Sequence, residues 1–279
     1  MDLTIFSLSS GNQPIELNDF PSGCSIDDVT QSLPQGVYST FRTYGGQKVL
    51  ELQAHLDRLY NPALKNGISP SVSALELRQQ LRELLIQFQP VDTKIRISLS
   101  LDDNPGQVFV MIERMKLIPE EIYQLGVNLV TVNLNRATPR LKSTRFIQAS
   151  SEERKTTLDH GFYEALMVQK SRIFEGLTSN FYAIRSGKII TARYGILLGV
   201  TRKVVLRVAR VNKLKVEYRP LRIDEIPSIE EAFITSSSRG IMPVVEIDGM
   251  KVGQGTPGAL TSILRNSFES YVCKKAANI

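Results

Sequence analysis

Three short stretches in the second half of the sequence carry side chains that could act together in one reaction. Residues 139–146 hold one lysine, Lys142; residues 173–182 hold one carboxylate, Glu175; and residues 199–202 read Gly-Val-Thr-Arg, as at a strand-to-helix turn. An amine bonds to an aldehyde, a carboxylate keeps a ring nitrogen protonated, and backbone N–H groups at a helix start bind phosphate. Pyridoxal phosphate has all three groups, so the stretches together predict a site for that cofactor.

Length and composition are those of a globular protein. The chain has 279 residues, 42% of them apolar and 22% charged, which suits two domains or one large α/β unit. The first residues lack a basic leader and no long uncharged apolar run follows, so we expect neither secretion nor a membrane span. Cys24 and Cys273 do not read as a disulfide framework, and two histidines argue against a metal site. A cytoplasmic location is therefore predicted.

The net charge of +6 and the pI near 9.3 raise the alternatives of a nucleic acid or an anionic ligand. Most basic residues are scattered. Their main concentration contains Glu217 as its only acid, and its first members recur at helical spacing; it comprises Arg202, Lys203, Arg207, Arg210, Lys213, Lys215, Arg219 and Arg222. The spacing favours a solvated basic helix face, and no nucleic-acid partner is expected.

Hydrophobic periodicity and turn residues predict an α+β chain with mixed sheets and two domains. We place the joint near residues 115–125, which gives a smaller N-terminal α/β domain over 1–118 and a larger C-terminal domain over 119–279. The predicted strands are 37–44, its hairpin partner 48–52, 94–101, 108–113, 127–134, 163–168 and 232–235. The predicted helices are 73–88 with Ser71 or Ser73 as its cap, a short one after Pro119, 146–159, one from Thr201, and 257–271.

Between about Gly36 and Leu264 the sequence resembles the fold-type IV pyridoxal phosphate enzymes, or class IV aminotransferases. This group includes branched-chain aminotransferase, D-amino acid aminotransferase and 4-amino-4-deoxychorismate lyase. The landmarks that carry the resemblance are residues 36–42, 55–59, the Lys142 segment, 175–181, 198–202, and 231–238 followed by Pro243-Val244. The resemblance implies a two-domain fold with pyridoxal 5'-phosphate at the domain junction, a small amino acid or oxo acid as substrate, and a homodimer.

Specific roles follow from the resemblance. Lys142 would attach the cofactor and move the substrate's α-proton, and Glu175 would contact the pyridine nitrogen. The phosphate would be bound by Arg58, Val200, Thr201, Ser236 and Ser237, and the substrate by Tyr38, Arg96 and Ser238.

The same residues also have ordinary structural interpretations. Without the family resemblance, Lys142 would be interpreted as a surface lysine. Arg58 would form a solvated helix pair with Asp57, and Glu175 would be a loop glutamate paired with Arg172. Thr201 is expected to cap a helix in either case. The remaining structural assignments are that Ser179 and Asn180 shape the Glu175 loop and that His55 and His160 are structural.

Three functions stay open at this stage. The first is a transaminase for a small, branched-chain-like amino acid and a 2-oxo acid; the second is a lyase that releases pyruvate from aminodeoxychorismate; the third is a non-catalytic relative that binds a small anion. The short turn Asp102–Gly106 lacks the Arg-x-His pair of D-amino acid enzymes, and Arg96 matches the strand arginine of branched-chain enzymes, although Lys94 replaces a usual tyrosine. An L-amino acid or aminodeoxychorismate is therefore expected as the substrate. Arg145 stands where asparagine is common, and the sequence offers no account of it.

Overall fold

The structure, a computed structural model, describes residues 3–21 and 23–279, and they form two compact units. The first unit comprises the described residues up to Lys116 together with Leu141–Ala149 and Lys275–Ile279, and the second comprises Leu117–Arg140 and Ser150–Lys274. Two segments beyond residue 119 thus pack with the first unit, and the domain bounds 1–118 and 119–279 stay a prediction. Within the described residues, no helix is both long and apolar enough to cross a membrane.

The chain contains helices and strands in mixed order, as the α+β prediction requires. The strands are β1 Leu3–Leu8, β2 Ile15–Glu16, β3 Gly36–Tyr44, β4 Lys48–Val49, β5 Thr93–Ser100, β6 Val108–Arg114, β7 Val127–Val132, β8 Glu164–Gln169, β9 Arg172–Gly176, β10 Asn180–Arg185, β11 Lys188–Thr191, β12 Lys215–Tyr218, β13 Leu221–Arg222, β14 Glu231–Ser236, β15 Gly240–Ile247, β16 Met250–Lys251 and β17 Ala277–Asn278. The α-helices are α1 Ile26–Ser32, α2 Leu52–Lys65, α3 Ala74–Ile86, α4 Glu120–Leu125, α5 Arg145–Ala149, α6 Ser151–Asp159, α7 Val200–Val211 and α8 Ala259–Lys275, and a 3-10 helix spans Ile223–Ser228.

The first unit is built on a seven-stranded sheet in the order β17-β4-β3-β5-β6-β1-β2. Helix α3 is capped by Ser73, whose side chain accepts from the Glu76 N–H while the Glu76 carboxylate accepts from the Ser73 N–H, so the predicted Ser73 cap is correct. Leu77, Leu81 and Leu85 of this helix are fully buried against the sheet's core. Each such leucine contributes about 1.5–3 kcal/mol of burial free energy, which is why the helix packs on this face.

The second unit is built on a ten-stranded mixed sheet, with the strand path β12-β11-β10-β14-β15-β7-β8-β9-β13 and β16 paired with β15. Strands β7 and β8 are parallel and connected through the first unit's segment and α6, whereas β14 and β15 form an antiparallel hairpin. The apolar residues of β10, β14 and β15 alternate into one core. The hairpin turn carries Ser237 and Ser238, which therefore sit at a defined edge of this sheet.

Two of the differences from the predicted element bounds have a direct cause in the backbone. The strand predicted over 48–52 ends at Val49, because Glu51 adopts a left-handed conformation with φ 53° and α2 begins at the next residue. The helix predicted over 146–159 is two helices, because Ser150 has φ −108° and ψ 3° and interrupts the regular turn. At Ser150 the chain passes from the first unit to the second.

The predicted solvated basic face on α7 is wrong for its first member. Arg202 is buried and donates to the Thr191 hydroxyl and to the Ala192 carbonyl, each over 2.7 Å. Its guanidinium also lies 5.5 Å from the ring centroid of Tyr182. Periodicity places Arg202 on the helix correctly but does not report that its side chain turns inward to tie α7 to the strand end beside it.

Candidate active site

Lys142 lies in a short segment that is fixed to the first residues of β3. The Tyr38 N–H donates to the Lys142 carbonyl over 2.9 Å. Two residues further along, the Thr144 hydroxyl oxygen accepts from the Gly36 N–H over 2.8 Å. The chain at the lysine and just after it is therefore held in place, which limits the positions its amine can take.

The aromatic ring of Tyr38 contacts two cationic side chains of the predicted site. The Lys142 Nζ lies 4.6 Å from the ring centroid, and the Arg96 guanidinium carbon lies 4.9 Å from it. Tyr38 itself is buried. Because an aromatic face attracts a cation, this ring holds the lysine amine and the arginine in the same part of the first unit.

Arg96 is buried, and its charge is matched from within the first unit. Its Nη1 donates to the Asp27 carboxylate over 2.6 Å and to the Thr30 hydroxyl over 2.9 Å, both on α1. Its Nε donates to the Thr40 hydroxyl over 3.2 Å. Asp27 thus competes with any substrate carboxylate for this guanidinium, and the predicted substrate contact of Arg96 stays a prediction.

Helix α2 of the first unit contains His55 and Arg58. His55 is buried, with its Nδ1 2.8 Å from the Ser39 hydroxyl. Burial holds the pKa of His55 well below its usual value, and the positive charges of Arg58 and Lys142 lower it further. His55 is therefore a neutral, hydrogen-bonded core histidine, and the two cations that act on it are the ones predicted to bind the cofactor.

Glu175 is a buried carboxylate in the second unit, at the end of β9. Its Oε2 accepts from the Asn180 side-chain amide over 3.1 Å, and the Leu197 N–H donates to both carboxylate oxygens, over 3.1 and 3.0 Å. The Arg136 Nε donates to Oε1 over 3.2 Å. A buried charge must be paired and hydrogen-bonded, and these donors match the charge of a carboxylate.

Arg136 is a site residue that the sequence analysis missed. The proposed pairing of Glu175 with Arg172 is wrong, because Arg172 is exposed at the other end of β9 and Arg136 makes the ion pair. The two partners are 39 residues apart. No local pattern signals a pair of that separation. The expectation that Asn180 shapes the Glu175 loop is confirmed by its hydrogen bond to the carboxylate.

The first turn of α7 presents backbone N–H groups beside a hydroxyl. Its N-cap is Gly199, with no side-chain cap hydrogen bond, so the predicted capping role of Thr201 is wrong. A Cβ at Gly199 would come within 2.4 Å of the Asn180 Oδ1, which explains the glycine. The amides of Val200 and Thr201 therefore meet no capping side chain from Gly199, and such N–H groups suit an anion.

Hydroxyl groups of the β14–β15 hairpin complete this cluster. The Ser237 Oγ lies 3.2 Å from the Thr201 Oγ1, and the Ser236 and Ser238 hydroxyls are 3.4 Å apart. The Ser236 Oγ accepts from the Arg239 Nε over 3.0 Å. Four hydroxyls and the N-terminus of a twelve-residue helix form a donor set of the kind that binds phosphate oxygens.

The residues fit pyridoxal phosphate in each unit taken by itself. The second unit offers a buried, ionised carboxylate for a protonated ring nitrogen and a donor cluster for a phosphate. The first unit offers the Lys142 amine over the Tyr38 ring and the Arg58 guanidinium, and both charges lower the pKa of His55. When bound, this cofactor supplies the electron sink that stabilises negative charge at the substrate's α-carbon.

Arg145 has a partner that the sequence did not reveal. Its guanidinium lies 2.5 Å from the Asp102 carboxylate in the β5–β6 turn, and the two side chains are 71% and 45% exposed. An exposed pair of this kind contributes at most about 1 kcal/mol. Its consequence is local, because it ties the turn to the start of α5.

The sequence model of the family described as amino-transferase class IV matches residues 36–247. The chain belongs to this family. It is an enzyme of the class IV aminotransferases, and the resemblance drawn from its motifs is confirmed.

Relatives that match this class IV aminotransferase over most of their length are named either D-alanine aminotransferase or branched-chain-amino-acid aminotransferase. A D-alanine aminotransferase of Bacillus licheniformis is 29% identical over 92% of this chain and 95% of its own. A Methanocaldococcus jannaschii protein assigned as a branched-chain-amino-acid aminotransferase is 28% identical over 86% and 88%. The branched-chain amino acid aminotransferase of Escherichia coli superimposes with a TM-score of 0.79 at 19% identity and covers 99% of this chain and 96% of its own. The mixed α/β fold predicted from the sequence is confirmed.

In this class IV aminotransferase the predicted site residues divide between the two units. The first unit holds Tyr38, Arg58, Arg96 and Lys142, and the second holds Glu175, Val200, Thr201, Ser236, Ser237 and Ser238.

Proposed function

We propose that the protein is a pyridoxal phosphate-dependent aminotransferase that moves an amino group between a small, branched-chain-like L-amino acid and a 2-oxo acid. The observation that carries this proposal is the Glu175 carboxylate, buried and held ionised by Arg136, Asn180 and the Leu197 amide. A buried anion of this kind suits a cationic ring nitrogen. Family membership supplies the reaction class.

Lys142 is the proposed attachment and proton-transfer residue. Its amine lies over the Tyr38 ring, and its backbone is held by β3, so it can reach one point repeatedly. A positioned amine of this kind takes the proton from the substrate's α-carbon and returns it elsewhere. With the cofactor bound, the Glu175 carboxylate would accept a hydrogen bond from the protonated ring nitrogen and keep it protonated.

The phosphate is assigned to Arg58 and to the donor cluster of the second unit. A guanidinium matches phosphate oxygens in two hydrogen bonds, and the amides of Val200 and Thr201 with the hydroxyls of Ser236 and Ser237 add further donors. The substrate is assigned to Tyr38, Arg96 and Ser238. These assignments rest on the landmarks of the family and on the donor geometry of each unit.

A D-alanine aminotransferase is the second candidate, because whole-length relatives at 29% and 25% identity carry that name. The substrate loop argues for the first candidate. The β5–β6 turn contains no arginine and no histidine between Asp102 and Gly106, and its Asp102 is paired with Arg145. The turn itself therefore provides no cation that could bind the carboxylate of a D-amino acid.

The test is an amino-transfer assay on the protein loaded with pyridoxal phosphate. L-leucine, L-valine and D-alanine are each supplied with 2-oxoglutarate, and the new amino acid and oxo acid are measured by mass spectrometry. The branched-chain substrates should react at least about tenfold faster in kcat/KM than D-alanine. Faster reaction of D-alanine would select the second candidate. Pyruvate released from aminodeoxychorismate without amino transfer would select the lyase.

We further propose that the enzyme acts in the cytoplasm as a homodimer. Cys24 and Cys273 are both unpaired, as in a reducing compartment. The dimer is inferred from the family resemblance alone.

A further inference from the structure

A second buried ion pair lies in the same unit as Glu175 and involves neither a predicted cofactor contact nor a predicted substrate contact. Glu164 begins β8, and Arg239 follows the hydroxyls of the β14–β15 hairpin. The Arg239 Nη1 donates to the Glu164 Oε2 over 2.6 Å, and the two side chains are only 14% and 4% exposed. The Arg239 guanidinium also lies 5.5 Å from the Tyr163 ring centroid. The charge is thus fixed in position on several sides.

This pair joins the two loops that carry the predicted cofactor contacts. On one side, the Thr178 N–H and hydroxyl donate to the Glu164 Oε1 over 2.6 and 3.0 Å, and the Arg239 Nη2 donates to the Thr178 hydroxyl oxygen over 2.5 Å. Thr178 lies in the turn that follows Glu175. A Cβ at Gly176 would come within 2.6 Å of the Glu164 Oε1, so the turn is shaped around this carboxylate.

On the other side, Arg239 acts on the hydroxyl loop. Its Nε donates to the Ser236 Oγ over 3.0 Å. Arginine has donors only, so this contact uses the acceptor capacity of the serine and turns the serine's own O–H proton away from the guanidinium. Within the part of the chain that the structure describes, the Ser236 hydroxyl also pairs with the Ser238 Oγ, at 3.4 Å. That distance is long for an O–H donor, so a better acceptor would take the proton.

We propose that Arg239 is a positioning residue that orients the Ser236 hydroxyl as a donor to an anion and fixes the hydroxyl loop to the turn that follows Glu175. The anion is an oxyanion, either the cofactor's phosphate or the substrate's carboxylate. Glu164 holds Arg239 in place. The inference deepens the proposed function and rests on it only for the identity of the anion.

A purely structural ion pair would behave differently. Such a pair would stabilise or destabilise folding without acting through Ser236. The distinguishing quantity is therefore the coupling between Arg239 and Ser236 in anion binding, because groups that act through each other have non-additive effects.

The experiment is a double-mutant cycle with Arg239→Met, Ser236→Ala and the double variant. Dissociation constants are measured by fluorescence for pyridoxal phosphate and for pyridoxal, which lacks the phosphate, and KM is measured for the amino acid. Arg239→Met should weaken one anionic ligand about tenfold in the wild-type background and less than about twofold in the Ser236→Ala background. If the dissociation constant rises for pyridoxal phosphate and not for pyridoxal, the anion bound by Ser236 is the cofactor's phosphate. An effect on KM alone identifies the carboxylate.

Two further variants complete the design. Arg239→Lys should restore part of the affinity, and Arg219→Met, which removes another Arg–Glu pair of the second unit, should leave ligand affinity unchanged. Additive effects of Arg239→Met and Ser236→Ala, or no effect of Arg239→Met on any anion, would overturn the proposal. The same double-mutant cycle can be measured without the cofactor, from the shift of the melting temperature that inorganic phosphate produces in each protein. Coupling seen there while pyridoxal phosphate fails to bind would contradict the proposed function and not this inference.

Discussion

At the residue scale, the charge of Glu175 determines what its neighbourhood can bind. Three donor groups from Arg136, Asn180 and the Leu197 amide converge on one buried carboxylate. Desolvating such a charge costs several kcal/mol unless it is matched, so the surrounding donors preserve it. The protein therefore maintains an anion where a cationic ring would be stabilised.

Glu175→Gln keeps the shape of the side chain and removes its charge. Turnover should fall roughly 100-fold or more, whereas affinity for pyridoxal phosphate should change much less, because the phosphate donors are unaltered. Steady-state kinetics and a cofactor titration measure the two quantities. Glu217→Gln, at an exposed glutamate, is the control. Wild-type turnover in Glu175→Gln would show that this carboxylate does not face the cofactor.

His55 gives the protein a defined sensitivity to acid. Because its folded pKa lies well below 6.5, the unfolded chain binds a proton at this residue first as pH falls. Its contribution to stability is complete above about pH 6.5 and is lost below, at about 1.4 kcal/mol per pH unit. Urea unfolding between pH 7.5 and 5.5 should show this slope in the wild type and in His160→Gln but not in His55→Gln. Equal slopes in all three would refute it.

At the element scale, several regular elements were predictable and the deeper contacts were not. The predicted elements do not include β1, α1 or the fourteen-residue helix α2. Alternation and the Gly45-Gly46 turn indicate β3 correctly, and Ser73 with Glu76 indicates the start of α3. These signals are local. Asn180 was expected to shape the Glu175 loop, but Arg136 and Leu197 come from more distant loops, so only tertiary folding reveals them as partners of Glu175. The break at Ser150 also escaped prediction, because no proline or glycine marks it.

The start of α7 depends on the absence of a side chain at Gly199. A Cβ there would lie 2.4 Å from the Asn180 Oδ1, and Asn180 also bonds to Glu175. Gly199→Ala should therefore destabilise the protein by about 1–3 kcal/mol in urea unfolding. Adding Asn180→Ala removes the obstructing atom, so the double variant should lose less than the sum of the two single losses. Strict additivity would show that the clash is absent.

At the scale of the whole molecule, the residues predicted to form the site divide between two compact units, each with a hydrophobic core of its own. Sequence landmarks identify the family because they recur in order over most of the chain. They leave the substrate open, because the named relatives of similar identity include both D-alanine and branched-chain enzymes.

A homodimer with two-fold symmetry is the expected assembly, since a C2 interface closes on itself. Sedimentation velocity on the active, cofactor-loaded protein should give about twice the 31.2 kDa chain mass. The species should persist on dilution to the concentrations used for assay. An active monomer would contradict the dimer and leave the assignment of the reaction untouched.

The central claim is that Lys142 carries the cofactor. The most direct measurement is borohydride reduction of the protein loaded with pyridoxal phosphate, followed by proteolysis and mass-spectrometric mapping of the labelled peptide. We expect the label on Lys142 and its loss in Lys142→Ala, with Lys94→Ala, another lysine of the first unit, labelled as the wild type. A label on a different lysine, or an unchanged label in Lys142→Ala, would contradict the account.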